Sequence, residues 1–174
     1  MKYIALVLYY CIAYWMPSSS SLMGGVGKHF RSWCCHHIFK SCGRNINVER
    51  QVSFGKGFNI ELGDNSGFGC NSHIASDIKV GKNVMMGPEC YFLSSLSHNI
   101  SSVDVPMCEQ GSISKGRIVI EDDVWIGLRC IVLPGKTIKN GSILAAGCVY
   151  SKDFPEYSIV GGNPARLIRN RKDK

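Results

Sequence analysis

The chain has 174 residues, enough for one core and too few for two comfortable domains. Hydrophobic residues make up 45% and charged residues 19%, which excludes a disordered or tail-like protein. The formal charge of +7 suits a nucleic acid, a membrane surface or a phosphorylated small molecule. Much of that excess sits in Arg166, Arg169, Arg171, Lys172 and Lys174, and no basic stripe interleaved with aromatics runs along the chain, so nucleic acid is not an expected partner.

At the N-terminus, Lys2 precedes an apolar run over Tyr3–Met16 that predicts a packed or membrane-surface helix, too short for a membrane span. A secretory signal is the alternative; an A-x-A cleavage site is missing, although the Ser18–Ser21 run imitates one. Gly24–Cys42 reads as an amphipathic helix, with Leu22, Phe30, Trp33 and Ile38 as packing residues. Cys34-Cys35-His36-His37 lacks the ligand spacing that lets four side chains converge on one tetrahedral ion, so no metal is expected. Nine cysteines, an odd number scattered over the whole length, point to reduced thiols in a cytoplasm rather than a disulfide framework. Residues 1–44 are therefore one apolar, helical N-terminal segment. Peripheral association of that segment with the inner face of a membrane is an expectation from its apolarity.

From residue 45 the pattern changes. Asn45–Glu61 looks like an imperfect first coil, carrying Ile46, Val48, Val52, Phe54 and Ile60. Steps of six from Leu62 then give Phe68, Ile74, Val80, Met86 and Phe92; steps of six from Ile120 give Ile126, Val132, Ile138, Leu144 and Tyr150. The next residue is often small, as in Gly63, Gly69, Gly81, Gly87 and Gly127. Four positions after the apolar residue comes a compact or β-branched one, as in Ser66, Ser72, Val84, Cys90, Cys130 and Cys148. A period of six is neither 3.6 nor 2, so it is not one helix or one long strand. It describes a chain that runs a short strand, turns a corner and repeats, three times per coil of a triangular prism. Coils stack at roughly 4.8 Å, with the aliphatic residue inward and residues tolerant of left-handed backbone geometry at the corners. The predicted fold class is mainly β: a left-handed parallel β-helix over 45–162, an exception to the right-handed crossover rule.

Two features depart from the period. Residues 93–119 interrupt it with Ser94, Ser95, Ser97, His98, Asn99, Pro106 and Gly111, and predict a loop extruded from the prism, where function often resides. At the other end Asn163-Pro164 reads as an N-cap with proline at the first helical position, so 163–174 predict a short C-terminal helix over Ala165–Arg171 and a basic tail.

Val124-Trp125-Ile126-Gly127, Leu133-Pro134-Gly135, Ser151-Lys152-Asp153 and Gly162-Asn163-Pro164-Ala165, together with His98-Asn99 and the stretch from Phe68-Gly69, resemble the hexapeptide-repeat acetyltransferases. The resemblance covers roughly residues 42–171 and is closest to the maltose, galactoside and polysaccharide O-acetyltransferases. It implies acetyl-CoA as donor, a sugar hydroxyl as acceptor, a place in cell-surface polysaccharide synthesis, and a homotrimer with sites between subunits. His98 takes the place of the family's catalytic histidine. Carried over residue by residue, the donor-binding positions are Trp125, Leu128, Ala146, Ser151 and Lys152, with Arg166 and Arg169 near the nucleotide phosphates. Asn99 and Glu109 are the acceptor-side candidates.

The residue chemistry agrees with that assignment. Acetyl transfer to a hydroxyl needs a positioned base, worth roughly 10²–10⁴-fold, and histidine titrates near working pH. Of the five histidines, His29, His36 and His37 lie in the N-terminal segment, His73 occupies an outward hexad position, and His98 alone sits in the extruded loop. Lys136 stands where the family favours a small or apolar residue, and Tyr150 is large for an inward ladder. Leu133-Pro134-Gly135-Lys136-Thr137 imitates a phosphate loop, but Cys130 stands where its first glycine is required. The competing readings are serine, antibiotic or amino-sugar N-acetylation, a γ-class carbonic anhydrase, which lacks a third coil histidine, and a non-enzymatic scaffold.

Overall fold

Strands of two residues, separated by tight corners, stack into the three flat faces of a prism in the computed structural model, which describes residues 1–173. The first face holds Ser41–Cys42, Glu61–Leu62, Lys79–Val80, Val119–Ile120 and Thr137–Ile138, all parallel. The second runs from Asn47–Val48 through Gly67–Phe68, Met85–Met86, Trp125–Ile126 and Ile143–Leu144 to Ser158–Gly161. The third contains Tyr91–Phe92, Ile131–Val132 and Val149–Tyr150, extended toward the N-terminus by single bridges at His73 and Ser53. The result is a left-handed parallel solenoid of about six turns. Its register carries straight across the interruption: Val80 pairs with Ile120 as Leu62 pairs with Val80.

Burial follows the six-residue ladder. Eleven of the twelve inward positions are buried; Met86 is partly exposed and packs against the core. The compact residues four positions later are buried too, and their polar atoms are satisfied, as buried polar groups must be. Ser66 donates to the Gly81 carbonyl at 2.7 Å and accepts from the Val84 amide at 3.0 Å. Cys148 is buried, and desolvation pushes its thiol up to about 12, which keeps it protonated and inert.

The corners divide the labour in a way the repeat does not reveal. Left-handed backbone falls three residues after the inward aliphatic, at Asn65, Asn71 and Asn83 among others, while the small residue directly after the aliphatic has ordinary dihedrals. Asparagine tolerates that geometry and adds a ladder here, Asn45 to Asn65 at 3.1 Å and Asn65 to Asn83 at 3.2 Å. The small residue is needed for close stacking. A Cβ on Gly127 would stand 2.7 Å from the Ala146 backbone nitrogen of the next coil.

Helix α1 (Lys2–Cys11) and a 3₁₀ turn (Ala13–Trp15) close the N-terminal end of the prism. The Tyr9 hydroxyl donates to the Val52 carbonyl at 2.8 Å, and Tyr10 donates to Gly55 at 3.0 Å. Helix α2 spans Gly24–Ile38, four residues shorter than the predicted 24–42. Phe39 turns extended, and the Lys40 amide bonds the Ile60 carbonyl, so Ser41–Cys42 already belongs to the first face. Cys34 and Cys35 point into the core while His36 is exposed, so the Cys-Cys-His-His run does not converge on one point. No helix among the described residues is long and apolar enough to cross a membrane.

The predicted C-terminal helix is a correction. Residues Arg166–Asn170 form a strand antiparallel to Ser158–Gly161, after a reversal that contains Gly162 and a cis Asn163–Pro164 peptide. A helix of seven residues is marginal in water because nucleation is costly. The open edge of Ser158–Gly161 offers unpaired backbone groups instead, and the returning strand satisfies them.

Candidate active site

The interruption of the repeat builds the most chemically distinctive surface. The Leu93 amide still bonds the Val132 carbonyl at 3.1 Å, after which the chain leaves the corner between the third and first faces. It rejoins the prism at Val119, whose amide bonds Lys136 at 2.9 Å. Within the loop, Leu96–His98 pairs antiparallel with Ser112–Ser114, placing His98 opposite Ser112 at the outer end of a hairpin. The His98 ring is exposed and engaged by no hydrogen bond among the described residues, so both nitrogens are uncommitted.

The other acceptor-side candidates lie close along the same loop. The Asn99 side-chain oxygen accepts from the Ser101 amide at 3.1 Å, and its backbone amide bonds Gly111 at 3.0 Å. Part of its hydrogen-bonding capacity is thus committed to the turn. Glu109 is exposed on the 3₁₀ turn Met107–Glu109. The residue that organises the tip is its neighbour, which the sequence does not single out. Gln110 donates to the carbonyls of Ser102 at 2.9 Å and Val105 at 2.7 Å, and accepts from the Ser102 amide at 3.0 Å. A glutamine in a polar loop gives no local sign of such a role, because its partners are five and eight residues away.

Under the hairpin lies a cleft of about 550 Å³, lined by Leu93, Ser94, Leu96, Ser97, Lys115, Leu133, Pro134 and Lys136. Lys136, the residue out of keeping with the repeat, is therefore at the foot of the loop that carries His98. A second cleft, of about 440 Å³, opens on the third face, where His73 stacks on Tyr91 with ring centroids 4.4 Å apart. The His73 Nδ1 lies 2.8 Å from the Ser53 hydroxyl. His73 points outward, as its place in the hexad predicts.

The seven donor-side candidates fall into three groups. Trp125 is half-exposed on the second face, in register with Met85 and Ile143. Leu128 and Ala146 follow on the next corner, where the Gly147 amide ties the coils by bonding the Leu128 carbonyl at 2.8 Å. Ser151 and Lys152 occupy the other corner, the one from which the loop departs, and Lys152 lies over the Phe154 ring at 5.4 Å. Arg166 and Arg169 are exposed on the terminal antiparallel strand, and neither has an acidic partner among the described residues. One prism thus brings Trp125, Leu128 and Ala146 together and sets them apart from the corner that Ser151 and Lys152 share with the departing loop of His98.

A prism of stacked hexads, with an imidazole on an ejected hairpin and exposed cations beyond the last coils, defines a hexapeptide-repeat solenoid, and comparison with known proteins identifies it further. No family model matches the chain. An acetyltransferase-family protein of Saccharomyces cerevisiae is 33% identical over 146 residues, covering 83% of this chain and 72% of that protein. The galactoside O-acetyltransferase of Escherichia coli is 32% identical over 139 residues, covering 79% of this chain and 66% of that enzyme. Among solved structures, a hexapeptide-repeat acetyltransferase from Vibrio cholerae complexed with acetyl-CoA superposes with a TM-score of 0.70 at 29% identity, over 99% of this chain and 87% of that one. A maltose O-acetyltransferase from Clostridium difficile gives a TM-score of 0.77 at 26% identity, over 97% and 85%. The chain belongs to the hexapeptide-repeat acetyltransferases. It spans 66% of the E. coli enzyme and 58% of a Schizosaccharomyces pombe relative, less than two thirds of either.

Proposed function

We propose that this chain transfers an acetyl group from acetyl-CoA to a sugar hydroxyl, in the cytoplasm and in the service of cell-surface polysaccharide synthesis. The observation that carries the reading is the placement of His98: an unencumbered imidazole on a hairpin ejected from a solenoid whose relatives include a galactoside O-acetyltransferase. In the proposed reaction His98 takes the acceptor's hydroxyl proton as the oxygen attacks the thioester carbon. The tetrahedral intermediate then expels the CoA thiolate, which takes up the proton held by His98. No covalent acetyl-enzyme is needed, in keeping with the buried, protonated state of the interior Cys148.

Asn99 and Glu109 are assigned to the acceptor, with Gln110 holding the loop that presents them. Trp125, Leu128, Ala146, Ser151 and Lys152 are assigned to the donor, Leu128 and Ala146 through their backbones, and Arg166 and Arg169 to its phosphates. The division of these residues between separate corners supports a homotrimer in which the loop of one copy meets the corner of another. Acetyl-CoA bound to the V. cholerae relative supports the choice of donor.

The test mixes purified protein with acetyl-CoA and a panel of sugars and follows thiol release. Sugar-dependent release should fall by about 100-fold or more in His98→Ala, in line with the usual worth of a general base. Release that persists in the variant removes His98 from the reaction.

A further inference from the structure

We infer that the outer face of α1, together with the start of α2, is a docking surface for an anionic phospholipid bilayer. The inner face of α1 is already taken. Tyr9 is fully buried, bonded to Val52 and packed on the Phe54 ring with centroids 4.6 Å apart, so the helix lies across the first coil with a fixed orientation. On the outer side Ile4 and Val7 are left uncovered, flanked by Tyr3, whose ring meets Phe58 of the first coil edge-on at 5.4 Å, and by the partly buried Leu8. Ile4 and Val7 are each 60% exposed, and with Tyr3 and Leu8 they line a shallow groove that is almost wholly apolar. Leu22, Met23 and Val26 are exposed as well, where α2 begins. Large apolar patches of this kind mark contact sites.

Charge identifies the occupant. Residues 1–48 contain no aspartate or glutamate; the first carboxylate is Glu49. The same segment carries Lys2, whose ammonium lies over the Phe58 ring at 4.7 Å, and His29, neither with an acidic partner among the described residues, while Lys28 lines the second-face cleft that also holds Glu49. An apolar face set in a module with cations and no acids complements an anionic lipid surface, where each lysine adds to the attraction. At ten residues α1 is about 15 Å long, half the hydrocarbon thickness of about 30 Å, so it can lie in the interface without crossing it. Tyr3 and Trp15, exposed toward the two ends of this segment, are the residue types enriched at the headgroup level.

Docked this way, the first coil faces the bilayer. The loop leaves after Phe92, two coils on from Ser53, or about 10 Å at the usual strand spacing. If the acyltransferase reading holds, on which this consequence alone rests, His98 meets acceptors presented by lipids at the surface.

The test is flotation of the full chain with vesicles of phosphatidylcholine, with and without phosphatidylglycerol. The expected result is binding to the anionic vesicles about tenfold stronger or more than to the neutral ones, weakened by salt. Ile4→Glu/Val7→Glu should lose about tenfold or more of that binding, with its thermal melt and its sedimentation coefficient unchanged. Wild-type chain that stays with the soluble fraction overturns the proposal, as does a double variant that floats like wild type. A double variant whose oligomer dissociates also overturns it, by making the face an interface between copies. Because the readout is vesicle binding, its failure is separate from any failure of acetyl transfer.

Discussion

The Arg31 guanidinium and the Glu49 carboxylate lie 3.7 Å apart at the junction of α2, the Ser-rich linker and the first coil, with Arg31 fully buried. Arg31 also donates to the carbonyls of Val48 at 2.6 Å and Pro17 at 3.0 Å. Glu49 accepts from the Ser19 amide at 3.0 Å, from Asn47 at 2.9 Å, and from the Ser19 hydroxyl. The pair thereby ties the N-terminal module to the solenoid through residues far apart in sequence.

Burial by itself would raise the Glu49 pKa, but the donors of Ser19 and Asn47 and the charge of Arg31 outweigh it and hold the carboxyl below its ordinary range. A depressed folded-state pKa contributes stability that is present above the unfolded value, about 4.3, and lost as pH falls through the folded value. Glu49→Gln should therefore cost about 3 kcal/mol at pH 7, because it leaves Arg31 buried without a counter-charge. It should also flatten part of the acid limb of a stability–pH curve. Urea unfolding from acid to neutral pH checks both; a variant with the wild-type midpoint at neutral pH would show that the pair contributes no net stability.

Two glycines should respond in opposite directions to alanine. Gly25 lies in the first turn of α2, and a Cβ there would meet nothing within 4 Å, so Gly25→Ala should stabilise by about 0.5–1 kcal/mol. Gly127→Ala would press a methyl against the Ala146 backbone, 2.7 Å from its nitrogen, and neither coil can yield without losing ladder bonds. A loss of about 1–3 kcal/mol is expected. Thermal melts resolve both; equal shifts of the same sign would refute the stacking account.

Arg166 and Arg169 should act on donor affinity. The double variant Arg166→Ala/Arg169→Ala is expected to raise KM for acetyl-CoA about tenfold or more, equivalent to about 1.4 kcal/mol, while kcat stays within about twofold. Steady-state kinetics at saturating acceptor decides it, and an unchanged KM would leave the two guanidinium groups as surface charge.

Tyr150 shows where reading by period stops. Its ring looks too large for an inward ladder, yet it is buried: its hydroxyl donates to the Thr137 carbonyl at 2.9 Å, accepts from the Phe154 amide at 3.3 Å, and its ring packs on Phe154 at 5.6 Å. The Thr137 carbonyl that makes the tyrosine fit lies thirteen residues away on another face. Non-local pairing also accounts for the missing C-terminal helix, where a credible local cap at Asn163 lost to an open strand edge contributed by residues 158–161.

The chain's own sequence determines the six-residue ladder, its interruption and the isolation of His98 outside the coils, because each is a matter of spacing along the chain. Tertiary structure alone decides that Asn65 and Asn83 turn the corners while Gly127 lets the coils approach, that Gln110 holds the loop, and that the donor candidates occupy different corners. The physical reason is that stacking places residues about one coil apart in direct contact, and what each must tolerate or satisfy is set by the neighbour above and below. That neighbour is visible only once the chain has closed its turns.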